Sequence, residues 1–341
     1  MTNSEIKFKV QIIKEIKPIK IIFNSNEGSV SHYFHFFYGA LIPLIEYHLT
    51  NNHQPFIITT NIGPFDRIIS ELFADELFVG YTKPLVINQS GVNDEKILQF
   101  YDDKSLNKYL YGNIISNKNF VYDMAKIDEN TIKLPTYDFF GNQFVKFKDV
   151  VNEGYKKLNQ IRNEINYFIE NKMPDKYKNI KTYDIILLDR KTDPYYMKEM
   201  KEQNKKYKNI YFTSGSQRRY ILNHEKLAEK LNSLYGADLG LISLENMSIF
   251  EQYQIFKNAK IIIGQHGAGL ANLFFCNNNP HIIEITSPWA HGYNEDNVKT
   301  KGGYHFKNLS EFLNFSYDEV YMENNIDNVD IDKILHHVNI K

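Results

Sequence analysis

The stretch Lys260–Phe275, KIIIGQHGAGLANLFF, decides how the rest of the chain is read. Ile261 to Ile263 form a β-branched apolar run of the kind a buried strand carries. Gly264, Gly267, Ala268 and Gly269 follow as a turn of small residues. Leu270, Leu273 and Phe274 then return at helical spacing. A strand, a tight glycine turn and a helix leave backbone N–H groups open at a helix N-terminus, where they attract an anion. His266 stands inside the turn and adds a side-chain donor. The pattern predicts a phosphate cradle. It matches neither GxGxxG nor GxxxxGK[ST], the two familiar nucleotide fingerprints.

Any tight strand-to-helix connection needs small residues, so the neighbours of the turn carry the argument further. The strand His281 to Ile285, HIIEI, holds Glu284 in an otherwise apolar run. A carboxylate is rarely buried without a partner, and a ribose diol is one natural partner. Arg190 stands just past a third apolar strand, Tyr183 to Leu188, YDIILL. Open α/β sheets bind ligands at the carboxyl ends of their strands. Those ends offer a backbone nest, a histidine, an arginine and a carboxylate.

The 341 residues exceed what one core usually serves, so two domains are expected. Hydrophobic content of 43% and charged content of 24% fit a water-soluble globular chain. The net charge of −1, from 40 basic and 41 acidic residues, leaves no electrostatic footprint for nucleic acid. No window reaches the ~18 to 20 apolar residues of a membrane span. MTNSEIKFKV has no apolar leader core, and the one cysteine, Cys276, forms no internal disulfide. These features give a cytoplasmic expectation.

Along the chain, strand and helix signals alternate. PIKIIFN and PFIITT read as strands, and the aromatic segment Ser31 to Leu49 and Phe65 to Phe73 as helices. Residues 85–147 have no legible order. Val151, Tyr155, Leu158, Ile161, Ile165 and Phe168 recur at steps of three and four and predict a helix that Pro174 ends. Beyond it come a strand at Ile210–Thr213, a helix from Arg218 to Leu234, the GLISLE strand, a helix from Ser248 to Lys257 and a terminal helix from Ile331. The predicted division is an N-terminal α/β domain over 1–172, a Rossmann-like domain over 180–325 and a C-terminal helix within 326–341.

GQHGAGLANLFF followed by PHIIEI resembles the signature of the family 61 glycosyltransferases. The upstream motifs resemble that family too. Arg190 ends LLDR, and RRYILNHEKL supplies Arg218, Arg219, Ile221, Asn223 and Leu227 in an R-x-I-x-N-x-x-x-L-like pattern. The resemblance implies a GT-B-like architecture, two Rossmann-like domains facing across a cleft, with the nucleotide-sugar on the C-terminal one. It also implies an inverting, metal-independent transferase of GlcNAc- or xylose-type sugars. The donor it implies is a UDP-sugar, the acceptor a glycan or glycoprotein, with no further cofactor or metal. The one literal DxD, Asp330-Ile331-Asp332, precedes a helix and reads as a cap.

The donor-site residues expected on this basis are Arg190, Arg219, Asn223, Gly264, His266, Gly267, Ala268, Gly269, Leu270, Asn272 and Glu284. The backbone N–H groups, His266 and Arg190 would meet the charge of the departing diphosphate, and Glu284 the ribose. Trp289 and His291 follow the Glu284 strand, where they would stack on a base or sugar. The base that takes the acceptor proton stays open among His32, His35, Glu27 and Asp66. Phe36, Phe37, Tyr38 and Gly39 stand where the family often has an acid after its N-terminal histidine. That departure keeps two alternatives in view. One is a catalytically inactive glycan- or nucleotide-binding protein of the same fold. The other is a different GT-B enzyme, such as a sugar-nucleotide epimerase.

Overall fold

A computed structural model describes residues 19–23, 33–50, 56–58, 65–73, 79–81, 131–134, 151–190, 220–245, 247–288 and 305–339. The chain divides into two compact units. Described elements before residue 137 belong to the first and those from Val151 onward to the second.

In the first unit β1 (Ile19–Phe23), β2 (Phe56–Ile58), β3 (Val79–Tyr81) and β4 (Thr131–Leu134) form one parallel sheet in the order β3-β2-β1-β4. The aromatic segment is helical as expected. It runs through Tyr33–Phe36, a π turn at Phe37–Leu41, and Ile42–Thr50. Phe36, Phe37, Leu44 and Ile45 are fully buried, and Phe36 stacks on Phe65 with centroids 4.8 Å apart. A second helix, Asp66–Phe73, buries Ile69 and Leu72.

The second unit holds β5 (Ile185–Leu188), β6 (Tyr220–Ile221), β7 (Leu239–Ile242), β8 (Ile261–Gln265), β9 (His281–Thr286), β10 (Ser316–Tyr321) and β11 (Ile326–Asp327). Five of these make a parallel sheet in the order β10-β9-β8-β5-β7, and β6 pairs with β11 apart from it. Parallel sheets need cover on both faces, which explains the continuous Ile and Leu runs of β5, β8 and β9. Alternation sends Ile185, Leu187, Ile263, Ile283 and Ile285 to one face. There they pack with Leu227 and Leu231 of helix His224–Tyr235 and with Ile334, Leu335 and Val338 of helix Ile331–Asn339. Burying each such side chain contributes roughly 1.5–3 kcal/mol.

On the other face Gly264 lies beneath Leu188 and Leu270. A Cβ at 264 would stand 2.9 Å from Leu188 Cδ1 and 3.1 Å from Leu270 Cδ2. Only a glycine lets the segment after β8 settle onto the sheet this closely. That segment, Ala268–Phe275, is the helix expected after the turn, and it is wound as a 3₁₀ helix. Leu270, Leu273, Phe274 and Phe275 are fully buried, as is the polar Asn272, so no solvent face marks a helical period. Burial on all sides favours whichever winding packs best.

Helix Ile249–Lys257 begins at a capping box. Ser248 Oγ accepts from the Phe250 N–H at 3.2 Å, and Glu251 Oε2 accepts from the Ser248 N–H at 2.8 Å. Helix Val151–Lys172 buries Ile161, Ile165, Phe168 and Ile169 and is tied to this layer by polar bonds. Arg162 Nη1 donates to Cys276 O at 3.0 Å, Asn166 Nδ2 to Asn277 Oδ1 at 2.9 Å, and Tyr253 Oη to Glu170 Oε1 at 2.8 Å, with Lys257 paired to the same carboxylate.

Four further elements differ from the sequence expectation. The helix expected from Arg218 starts at His224, after β6. The polar segment Asp175–Lys178 is a helical turn, and helix His305–Phe312 with β10 completes the sheet unannounced. The strand expected at Ile210–Thr213 lies outside the described residues. Asp330 does cap the terminal helix, its Oδ1 accepting from the Lys333 N–H at 3.0 Å. Among the described residues no helix is long and apolar enough to cross a membrane.

Candidate active site

From β5 the chain steps to β7 on one side and later to β8, β9 and β10 on the other. The winding direction therefore reverses between β5 and β8. A crevice at the carboxyl ends of such a pair is where doubly wound sheets take their ligands. β5 delivers Asp189 and Arg190 to that point, and β8 delivers Gln265, His266 and Gly267.

Arg190 crosses the gap between the two strands. Its guanidinium lies over Gly267 so closely that a Cβ there would stand 1.6 Å from Nη2 and 2.7 Å from Cζ. Gly267 itself is extended, at φ 164° and ψ 176°, so the backbone would accept any residue. The glycine is needed for the arginine's space, not for its own conformation. The first bond of the 3₁₀ stretch runs from the Leu270 N–H to Gly267 O at 3.0 Å. Leu270 therefore contributes no open donor, and the Ala268 and Gly269 N–H groups precede that bond. The result is a planar cation laid on the small-residue turn.

His266 is held from behind. Its Nδ1–H donates to Glu284 Oε1 at 2.6 Å, and Tyr317 Oη donates to Glu284 Oε2, also at 2.6 Å. Glu284 is 1% exposed and His266 5%. Both carboxylate oxygens are thus engaged inside the protein, which explains how a carboxylate sits within an apolar strand. Register puts Gly264 beside Glu284, and Phe306 meets the His266 ring edge-on at 5.4 Å. With Nδ1 committed to Glu284, the chemistry left to the imidazole is that of Nε2.

Other expected donor residues have internal partners. Asn272 is fully buried, and its Nδ2 donates to Gln252 Oε1 at 3.0 Å. Asn223 accepts from the Val329 N–H at 2.8 Å and donates to Val329 O at 2.9 Å, binding the start of helix His224–Tyr235 to the tail as a strand would. Leu270 and Gly264 pack under the turn, and Gly269 faces Leu244. His35 and Asp66 have helical backbones whose side chains are not described. Glu27, His32, Arg219, Trp289 and His291 lie outside the described residues.

Sequence reasoning passed over several residues at the same rim. Tyr317 belongs to a half-buried strand whose Asp and Glu conceal its period. His224 Nδ1 stands 3.9 Å from Asp189 Oδ1, and its Nε2 meets Leu188 O at 3.4 Å. Glu245, in the loop after β7, accepts from Ser243 Oγ at 2.7 Å. Burial raises its carboxyl above the usual range, the Ser243 bond pulls it back, and the charges of Asp189 and Arg190 act on it in opposite directions. Among the described residues no group of three or more His, Cys, Asp or Glu side chains is set to hold a metal ion.

The profile of the glycosyltransferase 61 family matches residues 33–283, most of the chain. The chain belongs to that family. A curated relative, the EGF domain-specific O-linked N-acetylglucosamine transferase of Drosophila melanogaster, is 32% identical over 85 residues. The matched part is 25% of this chain and 16% of that protein. As a glycosyltransferase 61 member, the chain carries Arg190, Asn223, His266, Gly267 and Asn272 inside the family match. Glu284 and Tyr317, which fix His266, stand beyond its end.

Proposed function

We propose that the chain transfers a sugar from a nucleoside diphosphate sugar to a hydroxyl of a glycan or glycoprotein, in one inverting displacement that needs no metal ion. The observation that carries this reading is the Arg190 guanidinium spread over Gly267 beside His266, at the point where the sheet reverses. A departing diphosphate gathers negative charge, and donors already in place stabilise it without reorganising. A planar guanidinium suits two phosphate oxygens at once. His266 Nε2, steadied through Glu284, adds a third contact.

In the step itself the acceptor oxygen attacks the anomeric carbon. The bond from that carbon to the β-phosphate oxygen breaks, and its electron pair leaves on the diphosphate. The acceptor proton goes to a base of the first unit, among His32, His35, Glu27 and Asp66. The two parallel sheets serve as the halves of a GT-B-type enzyme, with the donor on the second. The name of the Drosophila relative supports N-acetylglucosamine as the first sugar to try, carried as its UDP derivative. Xylose is the second.

The test is turnover in EDTA. UDP-GlcNAc and UDP-xylose are offered with a panel of glycan acceptors, UDP release is followed, and the anomer formed is read by NMR. Release of UDP with a β-linked product from an α-linked donor supports the reading. Nucleotide binding without turnover on any acceptor favours a binding protein of the same fold.

A further inference from the structure

Gln265 is the last residue of β8, one position before His266, and it is 7% exposed. Its Nε2 has no hydrogen-bond partner among the described residues. A buried amide donor left unmade is costly, and native proteins seldom keep one without a reason. Its position supplies the reason.

Strand alternation places Gln265 on the face of Ile261 and Ile263, pointing away from the face of Gly264. Ile263 registers with Leu187 of β5, so the next residue on the same face of each strand is Gln265 on one and Asp189 on the other. Asp189 continues the ladder, its N–H donating to Ile242 O at 2.8 Å. Above them stands His224, the first residue of the helix that covers this face, beside Asp189. The apolar rows below end at this polar rim, which flanks the switch point on the side opposite His266.

We propose that Gln265 Nε2 donates to an oxygen of the donor's nucleoside, so that the rim of β5 and β8 selects the nucleoside while Arg190 and His266 hold the diphosphate. This rests on the nucleotide-sugar reading above. A carbonyl of the base and a hydroxyl of the ribose are the two oxygens within the shared chemistry. The unmade bond in the free protein is completed when the nucleoside enters.

Replacing Gln265 with an apolar residue of similar volume removes the buried donor, so the fold keeps or gains stability. The same change removes a contact to the ligand. Stability and affinity should move in opposite directions.

The experiment compares wild type with Gln265→Met and Gln265→Leu by calorimetric titration of UDP, CDP, GDP, ADP and 2′-deoxy-UDP, with thermal unfolding of each free protein. The expected result is an unchanged or higher Tm and about a tenfold loss of affinity for the preferred nucleotide, the loss of one hydrogen bond. If the base is the acceptor, wild type separates the bases and both variants lose that separation. If the ribose is, 2′-deoxy-UDP is weakened in wild type and the variants erase the difference. A lower Tm with unchanged affinity in both variants overturns the proposal and leaves the nucleotide site standing. Failure of the wild type to bind any nucleotide overturns the donor reading itself, and this inference with it.

Discussion

The guanidinium of Arg190 fills the volume in which residue 267 would carry a side chain, with Nη2 1.6 Å from the place of a Cβ. Two motifs 77 positions apart in sequence, the end of β5 and the glycine turn after β8, thus form one object. Charge comes from the first and space from the second.

Gly267→Ala tests that division of labour. The extended backbone accepts alanine without strain, and the atom in the way is the far end of a flexible side chain. The arginine must move, while the fold stays. The expected outcome is a Tm within about 2 °C of wild type, as for a mild substitution. Nucleotide affinity in calorimetry should fall at least about tenfold, the scale of one charge-assisted contact. Unchanged affinity would show that Arg190 is not used where it lies.

Tyr317, Glu284 and His266 form a buried chain with two bonds of 2.6 Å. Tyr317→Phe removes one donor from the carboxylate, at a cost of about 1–3 kcal/mol. Glu284→Gln removes the charge that both neighbours serve. Urea unfolding of the two single variants and the double should show a coupling of about 0.5–3 kcal/mol, because they act through one carboxylate. Strict additivity would mean that the three residues do not act as a network.

Glu245 sets a pH dependence. Burial raises its carboxyl, against the Ser243 hydrogen bond, so the folded chain binds this proton more tightly than the unfolded chain. The stability it contributes is full at pH values below the unfolded carboxylate's titration and is lost as pH rises through the folded one. Glu245→Gln removes that loss. Its unfolding free energy, relative to wild type, should improve between pH 4 and pH 8. A flat or opposite trend in urea titrations would show that burial does not govern this group.

Much of the second unit was legible because its strands are buried on both faces. Ile185–Leu188, Ile261–Gln265 and His281–Thr286 read as apolar runs, and Arg190 and Glu284 stood out against them. The turn's winding was not legible, since AGLANLFF has no polar face to set a period. β10 was hidden because it lies at the sheet edge, where Asp318 and Glu319 interrupt its pattern. The partners of Glu284 could not be read either. They come from β10 and from the turn itself, and strand order brings them together, not proximity in sequence. Asn223 and Asn272 carry internal bonds that the sequence did not announce. Each stands in a motif yet holds the fold internally, and a motif alone does not say which way an amide points.

In the proposed reaction Arg190 and the glycine turn form a diphosphate site that works without a metal ion. Calorimetric titration of UDP into wild type and Arg190→Ala, with and without EDTA, is the decisive experiment. Wild type should bind UDP equally with and without EDTA, and Arg190→Ala, still folded, should lose roughly 10- to 100-fold in affinity, the scale of one or two charge-assisted hydrogen bonds. Equal affinity in the two proteins, or UDP binding that EDTA abolishes, would rule out a metal-free site built on Arg190.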